Sequence, residues 1–213
     1  MGNILDFSPG FIQDYTRLGY LDTLKAFEKL DGIEYFYHTS PSILKQFDSI
    51  LYEGPIIQKI AKFIGKRLPV NGSEDIRTII HTLLPQKYRK FRNLIQSLTE
   101  CAAASLNIFR IEIYSFEKLV QSIYEKYQEI ENRKNEKPKE EFKDFFLKLN
   151  SKINTSIPGN LLGHSAFEYQ MAMENIFRSK QDDPMIIGLE NFFPSLLPAK
   201  IFFIVLNRYF SRK

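Results

Sequence analysis

Apolar residues recur at intervals of three and four along most of the chain, the spacing that places them on one face of an α-helix. Phe11-Ile-Gln-Asp-Tyr15 opens the pattern, and Tyr20, Thr23, Leu24, Phe27 and Leu30 continue it. Gly19 falls between these runs and predicts a break, so the segment reads as an αα-hairpin ending at Asp31-Gly32, where glycine takes the left-handed conformation cheaply. A third helix is expected from Thr39 or Ser40, with Pro41 in its first turn and Ile43, Leu44, Phe47, Ile50 and Leu51 inward. Pro55 opens a fourth, whose apolar stripe through Ile56, Ile60 and Ile64 is backed by Lys59, Lys62 and Lys66.

Ser73 is expected to cap a helix reaching Leu84, and Pro85 to restart helix over 86–107. Another long helix is expected over 111–134, with Ile113, Phe116, Leu119, Val120, Ile123, Tyr127 and Ile130 inward. Residues 106–114 alternate apolar and polar with period two, but a single strand has nothing to pair with, so this stretch is also expected to be helical. The mixed-charge run 129–141, which contains Pro138, reads as an exposed connection, and helices are expected again over 142–153, 164–179, 184–193 and 196–210. The expected fold class is all-α: a hairpin within residues 1–35, a helical domain over 36–137, and a C-terminal segment over 138–213 packing on it.

Composition narrows the class. The 213 residues are 44% hydrophobic and 25% charged, with 10 Gly, 10 Pro and one Cys, which excludes disordered, collagen-like and disulfide-stapled chains. Folding needs no metal or disulfide at this size, because such a chain buries roughly 70% of its unfolded surface. Cys101, within Cys101-Ala-Ala-Ala104, reads as a small buried hydrophobe in a reducing compartment. The opening residues lack a basic and then apolar leader, which points to the cytosol or the cytoskeleton. Gly2 lacks the Ser or Thr at position 6 that myristoylation favours, since Asp6 stands there. The most apolar stretch, 189–206, is interrupted by Glu190, Asn191, Pro194, Pro198 and Lys200, and predicts a buried terminal helix rather than a membrane span.

Candidate chemistry is sparse. His38, His81 and His164 have no ligand-spaced partners, so no metal site is expected. Neither a phosphate-binding glycine loop nor a nucleophile elbow occurs, so no cofactor is expected and the chain reads as non-enzymatic. Lys87-Tyr-Arg-Lys-Phe-Arg92 is the densest basic and aromatic cluster. On a helix, Tyr88 and Phe91 would point inward, leaving Lys87, Arg89, Lys90 and Arg92 as a basic flank suited to an acidic protein surface such as a tubulin tail, or to nucleic acid. A net charge of +4 is too small to argue for nucleic acid by itself. The apolar tail, with Phe192, Phe193, Phe202 and Phe203, is a further candidate surface for docking on a partner in a large multiprotein complex.

Residues 11–27 resemble a LisH motif. Ile12 and Tyr15 take the family's places on a first short helix, Gly19-Tyr20 the turn, and Thr23, Leu24 and Phe27 the second helix; four steps separate Tyr15 from Gly19 where the family usually has five. The run from Ile50 to Gly54, continued by Ile56, Ile60, Ile64 and Pro69, is similar to the CTLH-type segment that often follows, and the opening Met1-Gly-Asn-Ile-Leu5 is similar to the start of ciliary armadillo-repeat members of the LisH group. The resemblance implies a homodimer in which two hairpins form a four-helix bundle, with Phe11, Ile12, Tyr15, Tyr20, Leu24 and Phe27 at the interface, in a centrosomal or ciliary scaffold. Apart from the resemblance, a lone hairpin cannot bury all six side chains within itself, so they must pack on the rest of the chain or on a copy.

Overall fold

The computed structural model describes residues 9–27, 29–65, 75–91, 93–132 and 194–212; this region is 74% helical, with seven helices and a small two-stranded sheet, so the fold is mostly α. In chain order the elements are α1 (Pro9–Ala26), β1 (Phe36–His38), α2 (Pro41–Leu51), α3 (Gly54–Gly65), α4 (Ile76–Leu83), a 3-10 turn (Gln86–Lys90), α5 (Leu94–Ser105), β2 (Ile113–Ser115), α6 (Phe116–Asn132) and α7 (Leu196–Phe210). The helices expected over 142–153, 164–179 and 184–193, and the Ser73 cap, lie outside the described residues.

Two helices without a broad polar face form the centre. Eleven of the twelve residues of α5 are buried, and α7 packs on α5 more extensively than on any other described element. Small side chains on α5, among them Ser97, Cys101, Ala102 and Ala103, permit this close approach, while Ile201, Phe202, Phe203, Val205 and Leu206 of α7 fill the surrounding space. Phe47 of α2 joins the layers: its ring lies 4.4 Å from that of Tyr209, 6.0 Å from Phe202 and 6.1 Å from Phe116. Tyr127 stacks on Phe203 at 4.3 Å and Tyr124 on Phe210 at 3.9 Å, fastening α6 along α7. No described helix is long and apolar enough to cross a membrane.

Local starts follow the side-chain chemistry. Pro41 opens α2 directly after Ser40, as expected. Asp75 caps α4 by accepting the Arg77 N–H at 3.2 Å, and Asn93 caps α5 by accepting that of Ile95 at 2.7 Å. α7 spans the residues expected of it.

Three expectations are corrected. The hairpin break at Gly19 does not occur, and α1 runs unbroken from Pro9 to Ala26; an interior glycine costs a helix only about 1 kcal/mol, too little to end it. The helix expected over 86–107 is instead a 3-10 turn, an extended Phe91 and the shorter α5. The stretch 106–114 is not helical: α5 closes with Asn107 at φ 51°, and β2 follows. Its partner β1 comes from far upstream, pairing in parallel with Phe36 opposite Ile113, Tyr37 opposite Tyr114 and His38 opposite Ser115.

The tail residues Phe202 and Phe203, at 0% and 3% exposure, are core and not a surface offered to a partner; Phe192 and Phe193 lie outside the described residues. Replacing Phe202 by alanine is therefore expected to cost the isolated chain about 3–5 kcal/mol, read as a lower urea midpoint. A tail reserved for a partner would leave that midpoint where it was.

Candidate functional site

A dense group of charges surrounds the loop joining α1 to β1. That loop turns at Gly32, whose φ is +99°. A Cβ there would collide with the Tyr35 carbonyl and lie 2.8 Å from Glu100 Oε1 and 2.9 Å from Tyr37 Cε1. Glu100, fully buried in α5, accepts the backbone N–H of Ile33 at 2.6 Å on one carboxylate oxygen and that of Glu34 at 2.9 Å on the other. Burial outweighs these bonds and the nearby Lys25, and raises the Glu100 carboxyl above its ordinary value.

Around this anchor the side chains are paired. Lys25 of α1 donates to the Ile33 carbonyl at 2.9 Å and lies 4.2 Å from the centre of the Phe36 ring, and burial lowers its pKa. Glu34 accepts from Lys87 at 2.6 Å and from the Tyr88 hydroxyl, with Arg110 at 3.5 Å. Burial works against its charge, but the Lys87 and Tyr88 hydrogen bonds with the Arg110 and Lys87 charges hold its carboxyl below the ordinary range. Burial, reinforced by Glu100, pushes the Cys101 thiol up, leaving it protonated and unreactive near neutral pH. The cluster fixes a loop; its acceptors are spent on backbone and side-chain donors of the same chain.

The loop in turn aims β1. Tyr35 and Tyr37 enter the main core, while Phe36 points the other way into a separate small cluster with Leu21 and Leu30, flanked by Leu18, Leu24 and Ile111. This second cluster seats α1. The opposite side of α1 faces solvent: Ile12 is 49% exposed, Tyr20 60% and Phe27 71%, with Tyr15 exposed beside them. These are four of the seven large hydrophobics exposed among the described residues. At 100° per residue, Ile12, Thr16, Gly19, Tyr20, Thr23 and Phe27 form one continuous stripe.

Of the six expected interface residues, Ile12, Tyr15, Tyr20 and Phe27 therefore share one outward surface. Leu24 is half-buried against the body, a correction that follows from its place on the α1 face seated by Phe36. Phe11 lies on α1, and its side chain is outside the description. The basic flank is only partly assembled. Lys87 is tied to Glu34, and Arg89 donates to the Leu84 carbonyl at 2.8 Å and the Thr82 carbonyl at 2.7 Å. Lys90 is exposed, as are parts of Lys87 and Arg89, and Arg92 lies outside the described residues.

Glu100, Gly32 and Lys25 did not stand out as site residues in the sequence. One signal was present: between Leu94 and Ser105, Glu100 is the only charged side chain on a helix with no polar face to put it on. Among the described residues no His, Cys, Asp and Glu group could hold a metal ion, and His38 and His81 are exposed. Comparison of the chain with protein-family models, curated proteins and solved structures gives no match.

Two outcomes test the anchor. A carboxyl whose pKa is raised by folding costs nothing while protonated in both states, and lowers stability as pH climbs from its ordinary 4.5. The stability advantage of the wild type over Glu100→Gln should therefore shrink as pH rises above 4.5, measured by urea titration at several pH values; a difference that stays flat there would contradict the assignment. Gly32→Ala should destabilise by more than about 1 kcal/mol, because the left-handed backbone and the crowded Cβ site both reject it. An unchanged melting temperature would show that the loop is built differently.

Proposed function

We propose that the chain is a non-enzymatic self-association module, serving as a scaffold component of a cytoskeletal assembly of the centrosomal or ciliary kind. The observation that carries the self-association is the outward stripe of α1. A helix with one apolar stripe is satisfied by seating it on its own domain, and α1 does so with Leu18, Leu21 and Leu24. It then carries a second apolar stripe on the opposite side, whose Ile12, Tyr20 and Phe27 are half to nearly three-quarters exposed. Aromatic side chains grouped on one exposed helix face are the composition of an interface core, where they provide most of the binding energy. The cytoskeletal setting rests on the LisH resemblance of residues 11–27.

The same stripe supplies the test. Tyr20→Glu combined with Phe27→Glu changes residues that the chain's own core does not use, so the helical circular dichroism should be retained. The wild type is expected to have twice the chain mass by multi-angle light scattering at micromolar concentration, and the double variant the mass of one chain. Equal masses for the two proteins would sink the proposal.

A further inference from the structure

We infer that the occupant of the α1 stripe is the α1 helix of a second copy lying antiparallel to it, the two crossing at Gly19 and Tyr20. This rests on the self-association reading above and specifies its geometry. The first observation is Gly19 itself. It sits inside a helix with ordinary negative φ, and a Cβ built there would meet nothing within 4 Å. Neither backbone conformation nor crowding within the chain requires glycine at this exposed position, although alanine would favour the helix by about 1 kcal/mol. A glycine facing outward in the middle of an apolar stripe lets another backbone or ring approach closely.

The second observation is the order of residues along the stripe. Reversing it about the midpoint of Gly19 and Tyr20 carries Ile12 onto Phe27, Thr16 onto Thr23 and Gly19 onto Tyr20. An antiparallel pair thus sets a large apolar residue against another at both ends, small hydroxyl side chains together between them, and each Tyr20 ring near the space left by the partner's Gly19. A parallel pair would bring Tyr20 to the level of Tyr20 and Phe27 to the level of Phe27, crowding the rings and leaving a gap at the levels of Gly19 and Thr23. Antiparallel alignment also opposes the two helix dipoles. The interface is isologous, as two-fold symmetry demands.

The threonines provide the test because their hydroxyls bond only within the helix, Thr16 to the Ile12 carbonyl and Thr23 to the Gly19 carbonyl, each at 2.8 Å. Thr16→Cys and Thr23→Cys are near-isosteric, and the native Cys101 is buried and will not interfere. In the antiparallel pair, position 16 lies level with position 23 of the other copy, within reach of a disulfide. Two copies of position 16 would be offset by seven residues, roughly 10 Å along the axis, which is too far. The full-length variants are mixed, allowed to exchange and oxidised, and linked dimer is read on a non-reducing gel, with light scattering on the reduced proteins. The inference expects linked dimer from the mixture and none above background from either variant alone. Linkage by each variant alone, in a protein of dimeric mass, would overturn the antiparallel arrangement while leaving self-association standing. A dimeric mass with no linkage in any sample would place the interface elsewhere and overturn it as well. A monomeric wild type removes both. Gly19→Leu supplies the control independent of cysteine: it should preserve or raise helicity yet shift the mass toward one chain, and a full dimer with leucine at the crossing would also overturn the inference.

Discussion

Glu100 is the constraint from which the rest of the N-terminal half follows. A carboxylate buried in the middle of α5 is costly unless its oxygens are occupied, and here each takes one backbone N–H of the Ile33-Glu34 loop. Those bonds fix the loop against the helix, and the left-handed turn at Gly32 lets it come near enough. With the loop fixed, β1 has one register: Tyr35 and Tyr37 enter the main core and Phe36 must face away from it. Phe36 then provides the seat for α1. A single buried acid on the central helix thereby determines where a helix at the edge of the fold lies and which of its faces looks outward.

The energetic weight of the two cores differs sharply. The main core gathers α2, α3, α4, α5, α6 and α7 with rings from three of these helices in contact around Phe47. The α1 cluster has three buried residues, Leu21, Leu30 and Phe36, and the Lys25 bond to the loop carbonyl. Fully burying one such aliphatic or aromatic side chain is worth about 1.5–3 kcal/mol, so the seat of α1 is stabilised by a few side chains while the body is held by dozens. The division also explains why Phe202 and Phe203 belong to the body. α7 is apolar on most of its circumference because α5, α2, α3 and α6 all touch it, not because one face awaits a partner.

Where the sequence was legible, short-range periodicity decided the outcome. α2, α3 and α7 have apolar stripes strong enough to be placed from spacing and flanking Pro and Gly alone; α6 was expected from residue 111 and begins only at Phe116, because Ile113 pairs with β1 and is exposed instead of facing inward on a helix. The failures share a physical cause: the deciding interaction was remote or weak. The pairing of 113–115 depends on a strand far upstream whose text, Tyr35-Phe36-Tyr37, has no local alternation because both of its faces are buried. Gly19 looked like a break because glycine is a poor helix former, yet the helix continues on both sides and absorbs the small cost. Lys87 and Arg89 looked like a surface because their acceptors, Glu34 and two carbonyls before the 3-10 turn, come near only after folding. The α1 aromatics were legible as surplus for the opposite reason. No arrangement of one short helical segment buries residues on both of its sides.

The continuity of α1 changes what that surplus means. In a hairpin, Ile12 and Phe27 would sit on different helices and fold toward each other; with α1 unbroken, Ile12 in its first turns and Phe27, which follows Ala26 and still donates to the Thr23 carbonyl, lie fifteen residues apart on the same side, roughly 22 Å along the axis. Such a stripe cannot close on itself, and the described side chains of residues 12–17 are all exposed, on both faces of the helix. A helix within a protein takes most of its stability from packing an amphipathic face rather than from propensity, so a partner that covered the stripe would add order to the N-terminal turns of α1. Binding that orders a segment couples its helicity to the concentration of the partner. If the partner is another copy, the first turns of α1 become more ordered as the protein becomes more concentrated, and the body, held by its own core, does not change.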